Sequence, residues 1–239
     1  MNEIFILVEH RQGKIRDITY EMLGLGETLA DQQGTSFSAV LLGHDVKHFA
    51  EDLSSRAPKV LVVEDEKLKH FNSLLYQQTL SSLISKYQPS LLLMGHSAFG
   101  MDLAPSLSVE MDIPLATDCL GLSFEDGRLK AIRSVYGGKV NASVSLRESK
   151  RYIVTVRPGI FPPKMPCEKK GGIVMESSPI QGTVDVKKFI EYIEAPITGE
   201  DITQAEILVS IGQGIGAVSY THLRAHETPE HLVCRLLLE

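Results

Sequence analysis

The 239-residue chain carries 24 Lys and Arg against 30 Asp and Glu, a formal net charge of −6, which argues against nucleic acid as a partner. Hydrophobic residues make up 43% and charged residues 23%, enough apolar side chain for a full core. Cys119, Cys167 and Cys234 are widely spaced and form no CxxC pair, so a disulfide framework or zinc ribbon is excluded; no run approaches the ~20 apolar residues of a membrane span.

Residues 1–9 lack the basic segment and cleavage site of a signal peptide, and with the reduced cysteines this reads as a cytoplasmic protein. Ile4-Phe5-Ile6-Leu7-Val8 reads as a central strand. Ile18, Met22, Leu25 and Leu29 follow helical spacing, with Gly34 as the stop. Phe37 to Leu42 is a second strand, 45–54 a short helix, and Lys59 to Val63 a third strand. Phe71, Leu75, Leu80, Leu83, Ile84 and Tyr87 share one side of a longer helix. Beyond Pro89 comes an apolar strand over 91–95, a turn, and a helix marked by Leu103, Leu107 and Met111. The repeated strand–helix alternation over 1–111 predicts an α/β fold: three layers, a parallel sheet with flanking helices.

From Ile113 the pattern changes to extended runs. Ile113 to Phe124 meets Leu129 to Tyr136 across Asp126-Gly127, a hairpin signal. Val140 to Leu146 and Tyr152 to Val156 complete what reads as an antiparallel meander, ended by Pro158, Pro162 and Pro163. Residues 162–182, rich in Pro, Gly, Lys and Ser, read as a loop or linker. Ala205 to Ile211 is a last strand, followed by Gly212-Gln213-Gly214-Ile215-Gly216.

Several motifs carry possible chemistry. Gly95-His96-Ser97-Ala98-Phe99-Gly100 approaches the hydrolase nucleophile elbow but has Phe99 where the second glycine belongs. Ser97 is better explained as a helix N-cap. Residues 128–157 hold eight basic residues and one acid, Glu148; this is either a docking face or, as read here, the solvated side of an antiparallel sheet. Gly212 to Ala217 fits the G-x-G-x-x-[G/A] turn that lets a backbone approach a pyrophosphate, although no helical pattern follows. His222, His226 and His231 do not share a helical face because Pro229 intervenes, so no metal site is expected.

The GHSAFG turn with Leu103 and Pro105, Pro114-Leu115-Ala116-Thr117-Asp118, Arg133-Ser134-Val135-Tyr136-Gly137-Gly138, Val156-Arg157-Pro158-Gly159-Ile160-Phe161 and Ile207 to Gly216 occur together. In these segments residues 1–216 resemble the N-terminal part of electron transfer flavoprotein alpha subunits. The resemblance implies an adenine nucleotide alpha hydrolase-like body over 1–161, a linker and return segment over 162–204, and over 205–216 the opening strand and glycine turn of an FAD domain. It further implies a heterodimer with a beta subunit, electrons received from acyl-CoA or other dehydrogenases, and FAD held partly by Gly212, Gln213 and Gly214, with no catalytic side chain. Gln213 stands where the family usually has arginine, which replaces a charged fork by a neutral amide. Residues 217–239 resemble nothing in that family and read as translated adapter sequence, so the remaining flavin domain is expected to be missing from this chain.

Two other readings compete. A free-standing AMP- or ATP-binding regulatory module would use the carboxyl edge near Val8-Glu9-His10 and Gly95-His96-Ser97, but no G-x-x-x-x-G-K-[ST] loop occurs in 1–111. A hydrolase would use Ser97.

Overall fold

The computed structural model describes residues 3–125, 128–168, 170–180 and 189–191. The following elements lie in the unit Met1–Ile190. In chain order they are β1 (Ile4–Leu7), β2 (His10–Arg11), β3 (Lys14–Ile15), α1 (Asp17–Gln33), β4 (Phe37–Gly43), α2 (Lys47–Ser54), β5 (Lys59–Glu64), α3 (Ser73–Tyr87), β6 (Leu91–Gly95) and α4 (Ala98–Met111). They continue with β7 (Leu115–Glu125), β8 (Arg128–Val135), β9 (Val140–Ser145), β10 (Tyr152–Val156) and β11 (Gly172–Glu176).

One sheet runs in the order β11-β5-β4-β1-β6-β10-β7-β8-β9. Every pair from β11 to β7 is parallel, and β7-β8 and β8-β9 are antiparallel. β1, β4, β6 and β10 are buried along their whole length, so they read as near-continuous apolar runs, interrupted only by Ser38 and Thr155, and not as alternation. Ile4, Ile6, Leu91 and Leu93 face α1 and α2, and Phe5, Leu7, Leu92 and Met94 face α3 and α4. These are the two cores of a three-layer α/β fold.

The helix boundaries have local causes. Gly34 ends α1 at φ 60, a conformation that glycine adopts without steric cost. Asn72 caps α3 by accepting from the Leu74 N–H, and Ser97 caps α4 by accepting from Phe99 and Gly100.

Two sequence expectations are corrected. Tyr152–Val156 does not close the meander; it enters the parallel sheet between β6 and β7, with Tyr152 opposite Leu91 and Val156 opposite Gly95. All five of its residues are buried, which a half-solvated antiparallel strand would not permit. The 162–182 segment is not all loop, because β11 extends the sheet edge alongside β5. The stretch before β11 is stitched to the body by Lys164 N–H to Tyr20 O, Cys167 N–H to Ser55 O and Gly171 N–H to Ser54 O. The β2-β3 hairpin, turned by Gln12 and Gly13 at φ 50 and 75, is an addition that the sequence reading did not include.

The remaining meander expectation holds for β7, β8 and β9. Its Asp126-Gly127 turn, the strand at 205–211 and the tail at 217–239 lie outside the described residues.

Candidate functional site

From β1 the chain moves outward through β4 and β5, then returns to place β6 on the other flank of β1. The β1/β6 boundary is therefore the topological switch point, where open α/β sheets place ligands at the carboxyl ends of their strands. Three residues define this crevice. Gly95 ends β6 and Ser97 opens α4. Glu9 follows β1 and is tied by its backbone to the start of α1: its carbonyl accepts from Arg16 N–H and Thr19 Oγ1, and its N–H donates to Thr19 Oγ1.

The Glu9 side chain fills the crevice. It is 2% exposed, and neither carboxyl oxygen has a hydrogen bond of good geometry. A Cβ on Gly95 would fall 2.5 Å from Glu9 Oε1 and 2.9 Å from Ile18 Cγ1. Burial pushes the Glu9 carboxyl above its ordinary pKa; the nearby Ser97 hydroxyl, the Arg16 charge and the Gly95 N–H pull the other way. Behind it the turn is equally close, since a Cβ on Gly100 would fall 1.9 Å from the Gly95 carbonyl oxygen. The second glycine of the GHSAFG motif thus serves backbone packing.

A polar network occupies the adjoining edge, at the ends of β6 and β10 and within β7. Thr155 Oγ1 accepts from the Asp118 N–H at 3.0 Å and lies 2.9 Å from His96 Nδ1. Arg157 grips the Asp118 carboxylate with Nε at 2.8 Å and a terminal nitrogen at 2.5 Å. This bidentate bond holds the Asp118 carboxyl below the usual carboxylate range. Asp118 has φ 56, and there β7 leaves its register with β10. Beyond this corner the meander packs onto the α1 side: Leu129, Ala131 and Leu146 share a core with Tyr152 and Val154. Arg133 donates to Thr117 Oγ1 at 2.9 Å from the neighbouring strand.

The structure decides among several sequence candidates. Ser97 is a cap, and His96 faces Thr155, so the pair is not the nucleophile and base of a hydrolase. Arg128, Lys130, Arg133, Arg147 and Arg157 are engaged by Glu148, Glu125, Thr117, Asp112 and Asp118 respectively. Most of the basic surplus over 128–157 is therefore spent within the chain. Gly212, Gln213, Gly214, His222, His226 and His231 lie outside the described residues. Among the described residues no group of three or more His, Cys, Asp or Glu is placed to hold a metal ion, and no helix is long and apolar enough to cross a membrane. The sequence reading placed Val8-Glu9-His10 and Gly95-His96-Ser97 together at the carboxyl edge, as a nucleotide site; it did not include the burial of the Glu9 carboxyl there or the Asp118 clasp.

Comparison with known proteins matches residues 4–180 to a family described as the electron transfer flavoprotein domain. The electron transfer flavoprotein subunit alpha of Thermoanaerobacterium thermosaccharolyticum is 31% identical over 217 residues, covering 90% of this chain and 66% of the relative. That of Clostridium acetobutylicum is 31% identical over 227 residues, with the same coverage of 90% and 66%. The acryloyl-CoA reductase electron transfer subunit beta of Anaerotignum propionicum is 27% identical over 248 residues, covering 89% and 66%. The chain thus spans just under two thirds of the length of these relatives. With its parallel body, its GHSAFG turn and its family match over most of its length, the chain belongs to the electron transfer flavoprotein family, as an alpha-type N-terminal domain.

Proposed function

We propose that this chain is the platform-forming part of the alpha subunit of a heterodimeric electron transfer flavoprotein, a cytoplasmic carrier that receives electrons from acyl-CoA or other dehydrogenases. The observation that carries this reading is the overhang of β8 and β9. Ala131 pairs with Val144 and Val135 with Val140, so these side chains share the ribbon face of buried Leu129 and Leu146. That face runs out past the body: Val144 is 36% exposed and Val140 51%. A sheet face that continues from a core, apolar except for Arg133 opposite Ala142, and then lies uncovered suits a second protein surface, here the beta subunit.

FAD, when bound, supplies the redox chemistry, while the protein sets its position and potential. In this reading Gly212, Gln213 and Gly214 receive part of it. The crevice at the β1/β6 boundary does not fit a dinucleotide, because a buried carboxyl stands where a pyrophosphate would approach. This also counts against the AMP- or ATP-binding module. No step needs an acid, base or nucleophile from the body.

Co-expression with the beta subunit, followed by size-exclusion chromatography, tests the proposal. A one-to-one complex that Val140→Asp or Val144→Asp breaks, without lowering the Tm of the isolated chain, is the expected result. A chain that elutes alone in the presence of the beta subunit overturns it.

A further inference from the structure

We propose that the Glu9 carboxyl is a built-in occupant of the place where a phosphate would sit between the first turns of α1 and α4, and that it keeps this crevice closed to phosphate-bearing ligands. Three observations converge on Glu9. Its backbone is bonded to the first turn of α1, through Arg16 and Thr19, while its side chain lies against Gly95, two residues before the Ser97 cap of α4. Two helix N-termini therefore flank this point, that of α1 partly offset by Asp17 in its first turn, with the Arg16 guanidinium acting on the same carboxyl. At a topological switch point such a place ordinarily takes a ligand's phosphate, although for the Glu9 carboxyl itself burial outweighs these charges.

The second observation is that the crevice is full. Glu9 is 2% exposed and its carboxyl stands within contact of the Gly95 backbone, so a phosphate cannot enter beside it. The third is that the occupant gains little from its surroundings. Neither oxygen has a well-formed hydrogen bond, and a buried carboxyl in that condition costs stability. An apolar side chain of similar length would fill the same volume at lower cost. A side chain that is poorly satisfied, yet fills the ligand end of the sheet, fits the role of a stopper. The groups facing it are Arg16, Ile18 and Thr19 from the α1 side, and Gly95 and Ser97 from the β6–α4 turn.

The test is thermal denaturation of the full chain with inorganic phosphate, using chloride at equal ionic strength as the reference. The wild-type chain and Glu9→Gln, which keeps the bulk, show no saturable phosphate-dependent rise in Tm. Glu9→Ala shows a saturable rise of about 3–6 °C once phosphate reaches roughly ten times its Kd. A comparable rise in the wild-type chain overturns the proposal, as does a folded Glu9→Ala chain that ignores phosphate. An equal rise in Glu9→Gln overturns steric occupancy. If Glu9→Ala does not hold its fold in chloride, refolding on addition of phosphate supports the proposal and failure to refold overturns it.

Discussion

Arg157 holds Asp118 by both carboxylate oxygens at a residue whose φ is 56, so the clasp sits on the corner where β7 breaks its register with β10. The two residues are 39 positions apart, and their bond links the end of β10 to the point where the meander leaves the parallel sheet. The left-handed conformation at Asp118 is disfavoured for most residues but tolerated by Asp and Asn. Asp118→Asn therefore keeps the corner and removes the charge, whereas Asp118→Ala loses both advantages. The expected order of Tm is wild type above Asp118→Asn above Asp118→Ala, with steps of about 2–4 °C each. The first step shrinks in high salt, because both partners are partly exposed. Asp118 is also a pH-dependent element: its folded pKa is depressed by Arg157, so its stabilisation is complete above the unfolded value near 3.8 and is lost as pH falls through the folded value. Acid titration of the Tm in wild type and Asp118→Asn reads this directly.

The GHSAFG turn makes a different prediction. Gly100→Ala places a methyl group 1.9 Å from a backbone oxygen, which no side-chain rotation can relieve. It should cost about 3 kcal/mol in urea unfolding. Gly95→Ala meets side-chain atoms and not backbone, Glu9 Oε1 at 2.5 Å and Ile18 Cγ1 at 2.9 Å, so its cost is smaller. Equal costs for the two substitutions would refute this account of the turn.

Thiol chemistry separates the cysteines. Cys119 is fully buried under the β7 corner, and burial pushes its thiol up to about 12. Cys167 is exposed. Because the thiolate is the nucleophile, iodoacetamide at neutral pH should label Cys167 in the native chain and Cys119 only after denaturation, as peptide mapping would show.

Much of the parallel body was legible in the sequence because its signals are local. Gly34, Gly43 and Pro89 punctuate apolar runs whose period changes from strand to helix. Tyr152–Val156 was misassigned because its place depends on a long-range pairing with Leu91–Gly95; its mostly apolar run, broken only by Thr155, was nevertheless the mark of a buried parallel strand. β11 was missed because Gly172–Glu176 sits among prolines and lysines and is stabilised mainly by the open edge of β5. The site was less legible still. Ser97 as a cap follows from its neighbours and strand topology sets Glu9 and Gly95 at one edge, but no spacing rule brings Arg157 to Asp118 or shows that the Glu9 side chain is buried.

Glu9 and His10 are adjacent yet should shift stability with pH in opposite directions. Burial raises the Glu9 pKa above 4.5, so the folded state holds a proton that the unfolded chain has released; stability falls as pH rises from about 4.5 through the folded value. Burial lowers the His10 pKa below 6.5, against the pull of the Leu42 carbonyl that its Nε2–H meets at 2.7 Å. The unfolded chain then takes up a proton first, and stability falls as pH drops from about 6.5 through the folded value. Glu9→Gln should accordingly raise the Tm at neutral pH, with the gain fading on approach to pH 4.5. His10→Gln should leave the neutral side of the profile unchanged in shape and flatten the decline below pH 6.5. Parallel Tm-against-pH profiles of the two variants and wild type check both signs. A Glu9→Gln gain that grows toward acid pH would show that the buried carboxyl is held in its charged form.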